Sequence, residues 1–222
     1  MAGKTATEEL ELIDVGGDEG GFPPGDLGPN GDAGGSAALP QRIYLTGIWL
    51  ALASILMFFM ALTSSYIVRK GLSTDWVALP LPPILWLNTV VLLVSSLTIE
   101  RARRSLARHL VGDFHRWWGI TTALGGMFLA GQLVAWRQLA AAGVYLSTNP
   151  SSSFFYLLTG THGAHLLGGI VALVYVGFRG RREDVRPGTR PSPHTVATMT
   201  SVYWHFLDGL WVFLFLLLLL GR

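Results

Sequence analysis

The sequence contains no cysteine, which excludes a disulfide framework, a thiolate metal site and any cysteine-ligated cluster or copper centre in this chain. Histidine is left as the only strong nitrogen ligand, and there are six of them. Charge is scarce as well: 14% of the 222 residues are charged and 50% are hydrophobic, too polarised a balance for a soluble single domain. Membrane insertion is therefore the first expectation. No glycine-rich phosphate loop, nucleophile triad or pair of catalytic carboxylates occurs, so the common hydrolytic and nucleotide-dependent chemistries have no residues to carry them.

The charge that is present is badly mixed. Residues 1–40 hold one base, Lys4, against eight acids, whereas residues 41–222 hold fifteen bases against six acids. The first forty residues also carry ten glycines and four prolines with no apolar run, which predicts a disordered acidic tail and not a signal peptide. Within it "EELELIDVGG" (Glu8 to Gly17) reads as a solvated leader, with docking of a short stretch onto a partner as the alternative. The basic excess lies in short arginine clusters between long apolar runs, a membrane-topology pattern and not a nucleic-acid-binding face.

From residue 41 onward the chain reads as an all-α membrane domain, an integral bundle of five transmembrane helices. The spans are placed at Tyr44 to Val68, Pro82 to Ile99, Trp117 to Trp136, Phe154 to Phe178 and Val196 to Leu220, each near the ~20 helical residues that cross a hydrocarbon core. The second is the shortest and opens on a proline, which suits a first helical turn; a start nearer Leu79 is the alternative. Arg101, Arg103, Arg104, Arg108 and Arg116 lie between spans two and three, and Arg179, Arg181, Arg182, Arg186 and Arg190 between four and five. The other two loops carry only Arg69, Lys70 and Arg137. That bias predicts a cytoplasmic N-terminus and an outside C-terminus. Trp76, Trp117, Trp118 and Trp136 fall near the predicted interfaces as belt or packing residues. No fixed-period or inverted repeat is visible, which counts against a secondary transporter.

Inside the spans there is one acid, Asp208, accompanied by His162, His165 and His205. An intramembrane carboxylate is costly and needs a partner. At ~1.5 Å per residue, His162 lies about 12 Å and His165 about 16 Å from one membrane face, while His205 and Asp208 lie about 14 Å and 18 Å from the other. In a core ~30 Å thick, His162 levels with Asp208 and His165 with His205. Three readings of that layer stay open on physical grounds. The groups can form a polar network that locks two helices, helped by Gly160, Gly163, Gly168 and Gly169. His165 and His205 can be axial ligands of a haem. Or the layer can line a proton or substrate path. Asn88 and Gln132 are single amides in spans two and three, suited to interhelical contacts. The hydroxyls of "LNTVVLLVSSL" (Leu87 to Leu97) can bond back to their own helix. His109, His115 and His194 sit in basic loops and read as solvated.

Two segments carry a resemblance. "YWHFLDGLWVFLF" (Tyr203 to Phe215) and "TGTHGAHLLGG" (Thr159 to Gly169) resemble the signature stretches of subunit III of the haem-copper cytochrome and quinol oxidases. "LPLPPILWLNTVVLLVSS" (Leu79 to Ser96) is similar to that family's proline-rich entry into a helix, and "GMFLAGQLVAWRQL" (Gly126 to Leu139) to its glutamine-bearing helix. The resemblance covers about residues 41–220 and matches the five-helix bacterial form.

What the resemblance implies is a non-catalytic subunit of a terminal oxidase, with no haem, copper or other metal in this chain and with haems and copper in its partners. It implies packing on subunit I, association with subunit II and further subunits, bound phospholipid and support of proton uptake, in the bacterial inner membrane with cytochrome c as the expected donor. Under it His162, His165, His205 and Asp208 become a structural tie between spans four and five, and Arg69 and Lys70 become candidates for lipid headgroups. Two positions depart from the family pattern: Ile55 and Ala135 stand where many members carry glutamates, so roles tied to those carboxylates do not transfer. The alternatives from other classes are a bis-histidine b-type cytochrome using His165 and His205, and a small proton-coupled transporter using Asp208.

Overall fold

A computed structural model describes residues 41–72, 74, 76–179 and 193–221. The acidic tail and the loop over 180–192 lie outside the described residues, and with them the expectations placed there. Five helices make up the described chain: α1 (Gln41–Leu72), α2 (Ile84–Ala107), α3 (Val111–Ala141), α4 (Pro150–Arg179) and α5 (Pro193–Leu220). Among the described residues there is no strand. All five are long and apolar enough to span a bilayer, and a helix suits that medium because it satisfies its backbone polar groups internally.

Each helix overruns its predicted span. The apolar count stops at the first charged cluster, but helical hydrogen bonding does not, and arginine is a good helix former. α2 therefore carries Arg101, Arg103 and Arg104 in about two further turns of the same helix. Its start differs from both positions considered above. Leu81 and Pro82 each precede a proline, which disfavours helical backbone, so regular helix begins only at Ile84, behind Pro83 at φ −62°. The first amides are taken up by the Pro82 and Pro83 carbonyls.

Short connections set the packing. Arg108, His109 and Leu110 alone join α2 to α3; His109 takes a left-handed φ of 60°, and the Leu110 amide reaches back to the Ser105 carbonyl at 3.0 Å. The two helices so joined form the most extensive pairing in the molecule. α2, α3, α4 and α5 close a four-membered ring in which each packs on the next, and α1 lies outside the ring against α4 and α5, with no close backbone approach to α2 or α3. At one end Tyr66 of α1 stacks edge-on against Phe154 of α4 and Trp76. At the other, the Trp118 indole of α3 donates to the Leu173 carbonyl of α4 at 2.8 Å.

The bundle core is built on Trp118, Trp204, Trp211, Phe59, Phe128 and Phe155, all essentially buried. Trp204 is seated by glycine: a methyl at Gly125 of α3 would lie 2.6 Å from its ring, and one at Gly169 of α4 would lie 3.3 Å from it. The slot exists because two facing helices lack side chains at the same level.

Candidate functional site

Among the described residues, the polar side chains inside the bundle are the candidates for chemistry, and the structure distributes them over several helix pairs. His162 of α4 is fully buried in an aromatic box, its ring centroid 5.1 Å from Trp211 of α5 and 6.0 Å from Phe128 of α3. Neither of its ring nitrogens has a hydrogen-bond partner. His165, one turn on, faces α1: its ring packs edge-on against Phe59 at 5.6 Å, and Nδ1 lies 2.8 Å from the Thr161 carbonyl of its own helix. His205 of α5 faces α2, with Nδ1 2.7 Å from the Ser96 hydroxyl.

Asp208 is buried at 4% exposure, and neither carboxylate oxygen has a partner at hydrogen-bonding geometry. Ser96 lies within its electrostatic reach, but the short contact of that hydroxyl is to His205. So the four residues that depth alone places in one layer point in different directions. His165 looks to α1, His162 into the core and His205 to α2, and no hydrogen bond joins any two of the four. Depth fixes level, not azimuth, and azimuth decides contact.

The same geometry bears on haem ligation. His165 is turned to Phe58 and Phe59 while His205 is engaged by Ser96, so the pair is not presented to a common ligand. Among the described residues no group of three or more histidine, aspartate or glutamate side chains is arranged to hold a metal.

Beside the Ser96–His205 contact, further ties between α5 and α2 come from residues outside that layer. Thr89 and Ser95 do bond back to the Leu85 and Leu92 carbonyls, at 2.8 and 2.7 Å. Having donated their protons, their oxygens accept from the α5 indoles: Trp211 donates to Thr89 at 3.1 Å and Trp204 to Ser95 at 3.0 Å. Tyr203 donates to the His165 carbonyl at 3.0 Å, Trp136 to Thr159 at 3.1 Å, and Thr98 meets Thr121 at 2.8 Å. A readable signal was present: a buried indole N–H needs an acceptor, and Trp204 and Trp211 are seven residues apart on one face of α5, opposite two hydroxyls six apart on α2.

Asn88 of α2 abuts α3 at Gly131, where a methyl group would overlap its amide, and its Nδ2 is unpartnered. Gln132 is buried with both amide atoms unpartnered. Arg69 and Lys70 occupy the last turn of α1, Arg69 exposed and Lys70 half-buried. Ile55 is half-buried against the core and Ala135 is fully buried in it.

The family model for cytochrome c oxidase subunit III matches residues 40–220, the whole five-helix bundle. The chain belongs to the cytochrome c oxidase subunit III family. Among curated relatives, it is 34% identical over 179 residues to cytochrome c oxidase subunit 3 of Thermostichus vulcanus, covering 78% of this chain and 84% of that one. It is also 34% identical over 174 residues to a probable subunit 3 of Nocardia farcinica, covering 77% and 83%. With subunit 3 of Synechocystis it shares 31% over 199 residues, covering 86% and 80%. With five spanning helices, this subunit III family member is a multi-pass membrane protein.

Proposed function

We propose that the chain is the non-catalytic third subunit of a bacterial terminal haem-copper oxidase, packed on the catalytic subunit I and in one complex with subunit II and further subunits. The observation that carries this reading is the family match over the whole helical bundle, residues 40–220. In this reading haems and copper reside in the partners, cytochrome c is the donor, and the complex sits in the bacterial inner membrane with the arginine-rich end of the bundle in the cytoplasm. The subunit stabilises the oxygen-reducing complex and supports its proton uptake without touching the reacting atoms. Its exposed apolar faces hold phospholipid, with Arg69 and Lys70 suited by position to anionic headgroups.

The side-chain geometry supports a scaffold role over a redox or transport one. Indole-to-hydroxyl bonds and a hydroxyl pair tie α2 to α5, α3 to α4 and α2 to α3 across an aromatic core. A direct test is affinity purification of the tagged chain from native membranes with identification of the co-purifying subunits and measurement of oxygen consumption. Haem-copper subunits in stoichiometric yield, with oxygen reduction that declines during turnover when this chain is stripped away, are the expected result. A chain that purifies alone and binds haem by itself would replace this reading with the bis-histidine cytochrome.

A further inference from the structure

α2 carries Thr89, Ser95, Ser96 and Thr98 within its apolar stretch. Thr89, Ser95 and Thr98 each donate to a carbonyl of their own helix, as short hydroxyl side chains do in such surroundings. Ser96 does not. Its hydrogen bond among the described residues runs to another helix, to Nδ1 of His205 on α5 at 2.7 Å. The Ser96 proton is therefore free to point to either side of the oxygen. On one side stands the imidazole. On the other, one turn further along α5, is the Asp208 carboxyl, close enough to Ser96 to interact with it.

Asp208 is buried in the middle of a spanning helix, and neither of its oxygens has a hydrogen-bond partner among the described residues. No cation is paired with it. The charged groups that reach this part of α5 are Glu100 and Arg103 of α2, and they act on His205. Glu100 stands one turn from Ser96 toward the arginine-rich end, held by Arg103 and Arg104 at 2.9 and 2.8 Å. From α4 the titratable groups are His162, whose ring lies on Trp211, and His165, which is turned to Phe59 of α1. The buried face of α3 brings Thr121, Gly125 and Phe128, none of which titrates. An unpaired carboxylate is too costly to hold in such a place, so Asp208 carries its proton.

We propose that Asp208 is a proton-binding site that exchanges with the arginine-rich end of the bundle through Ser96 and His205. A proton leaving the carboxyl passes to Ser96 Oγ as the hydroxyl gives its own to His205 Nδ1, and the ring releases its Nε2 proton toward Glu100 and the helix ends. Return of a proton runs the same transfers backwards, so each group gives one proton and takes one. His165 cannot substitute, because its Nδ1 is spent on the Thr161 carbonyl of its own helix. Beyond Asp208 the buried face of α5 continues with Trp211, Leu214 and Leu218. The path therefore ends at the carboxyl and does not cross the membrane. The site lies within this chain alone and holds independently of the oxidase reading.

The test follows the infrared band of the neutral carboxyl in the tagged complex, purified with its native lipid and transferred from water to deuterium oxide. Asp208→Asn is expected to lose one such band, which identifies it. In the wild type that band shifts as the carboxyl proton is exchanged, and in Ser96→Ala and in His205→Leu the shift is delayed. Ser96→Thr, which keeps the hydroxyl, restores the wild-type rate. Thr89→Val removes the acceptor of the Trp211 indole between the same two helices and is expected to cause no delay. That comparison separates a relay from a tie, because loosening a helix contact opens the bundle and hastens exchange. A spectrum that loses no neutral-carboxyl band in Asp208→Asn would overturn the proposal. So would exchange in Ser96→Ala and His205→Leu that is as fast as in the wild type or faster.

Discussion

At the scale of single residues, the bundle depends on where side chains are missing as much as on where they are present. Trp204 fits because Gly125 and Gly169 leave room for it, and the ring can spend its N–H on Ser95 only from that position. Gly125→Ala would drive a methyl into the indole and is expected to destabilise the detergent-solubilised protein by about 1–3 kcal/mol, the usual cost of overpacking. Gly126→Ala, one residue on and open, is expected to change nothing, so comparing the two melting curves isolates the contact. Gln132 points the other way. Its amide is buried with neither end partnered, so Gln132→Met removes an unmet polar group and is expected to be neutral or stabilising; a large loss in the same melting assay would mean the amide has a partner in the assembled protein. In the α2–α3 turn, His109 is exposed and holds a left-handed φ of 60°. Glycine pays no penalty there, and His109→Gly is expected to raise stability by roughly 1 kcal/mol.

At the scale of elements, α1 is the exception in a ring of four. It contributes Phe59, Leu52 and Tyr66 to the interior but leaves most of its length uncovered, and its backbone comes close only to α4 and α5. Phe59→Ala is expected to remove a fully buried ring at a local cost of about 3–5 kcal/mol. Hydrogen exchange should then accelerate in α1 while α2 and α3 stay protected; uniform acceleration through all five helices would contradict the ring-plus-one arrangement. This scale is also where the sequence is most readable. Length and hydropathy locate all five helices, because the bilayer demands about 20 apolar residues per span. The ends are less readable, since arginines and interfacial residues continue the helices, and at α2 a double proline delays the start to Ile84. The candidate site is the least readable part. Rise per residue puts His162 level with Asp208, but only packing determines that His162 turns to Phe128 and Trp211 and that His205 turns to Ser96. Azimuth follows from the glycine slots and the hydroxyl acceptors, which are long-range facts.

At the scale of the whole molecule, the proposed orientation follows from arginine placement and is open to direct measurement. The native chain has no cysteine, so a single introduced thiol reports its own side of the membrane. Ser147→Cys, in the exposed turn between α3 and α4, is expected to react with a membrane-impermeant maleimide applied to intact cells, and His109→Cys only after the membrane is opened. The reverse pattern would invert the topology. The central claim is that this chain carries no redox centre and serves a complex that does. The measurement that tests it most directly is the reduced-minus-oxidised spectrum of the gently purified, tagged complex, recorded before and after its subunits are dissociated. The account predicts haem absorbance in the complex that leaves entirely with a larger partner, and an isolated chain with no haem signal. A haem that stays with the isolated 24.1 kDa chain and vanishes in His205→Leu would contradict it.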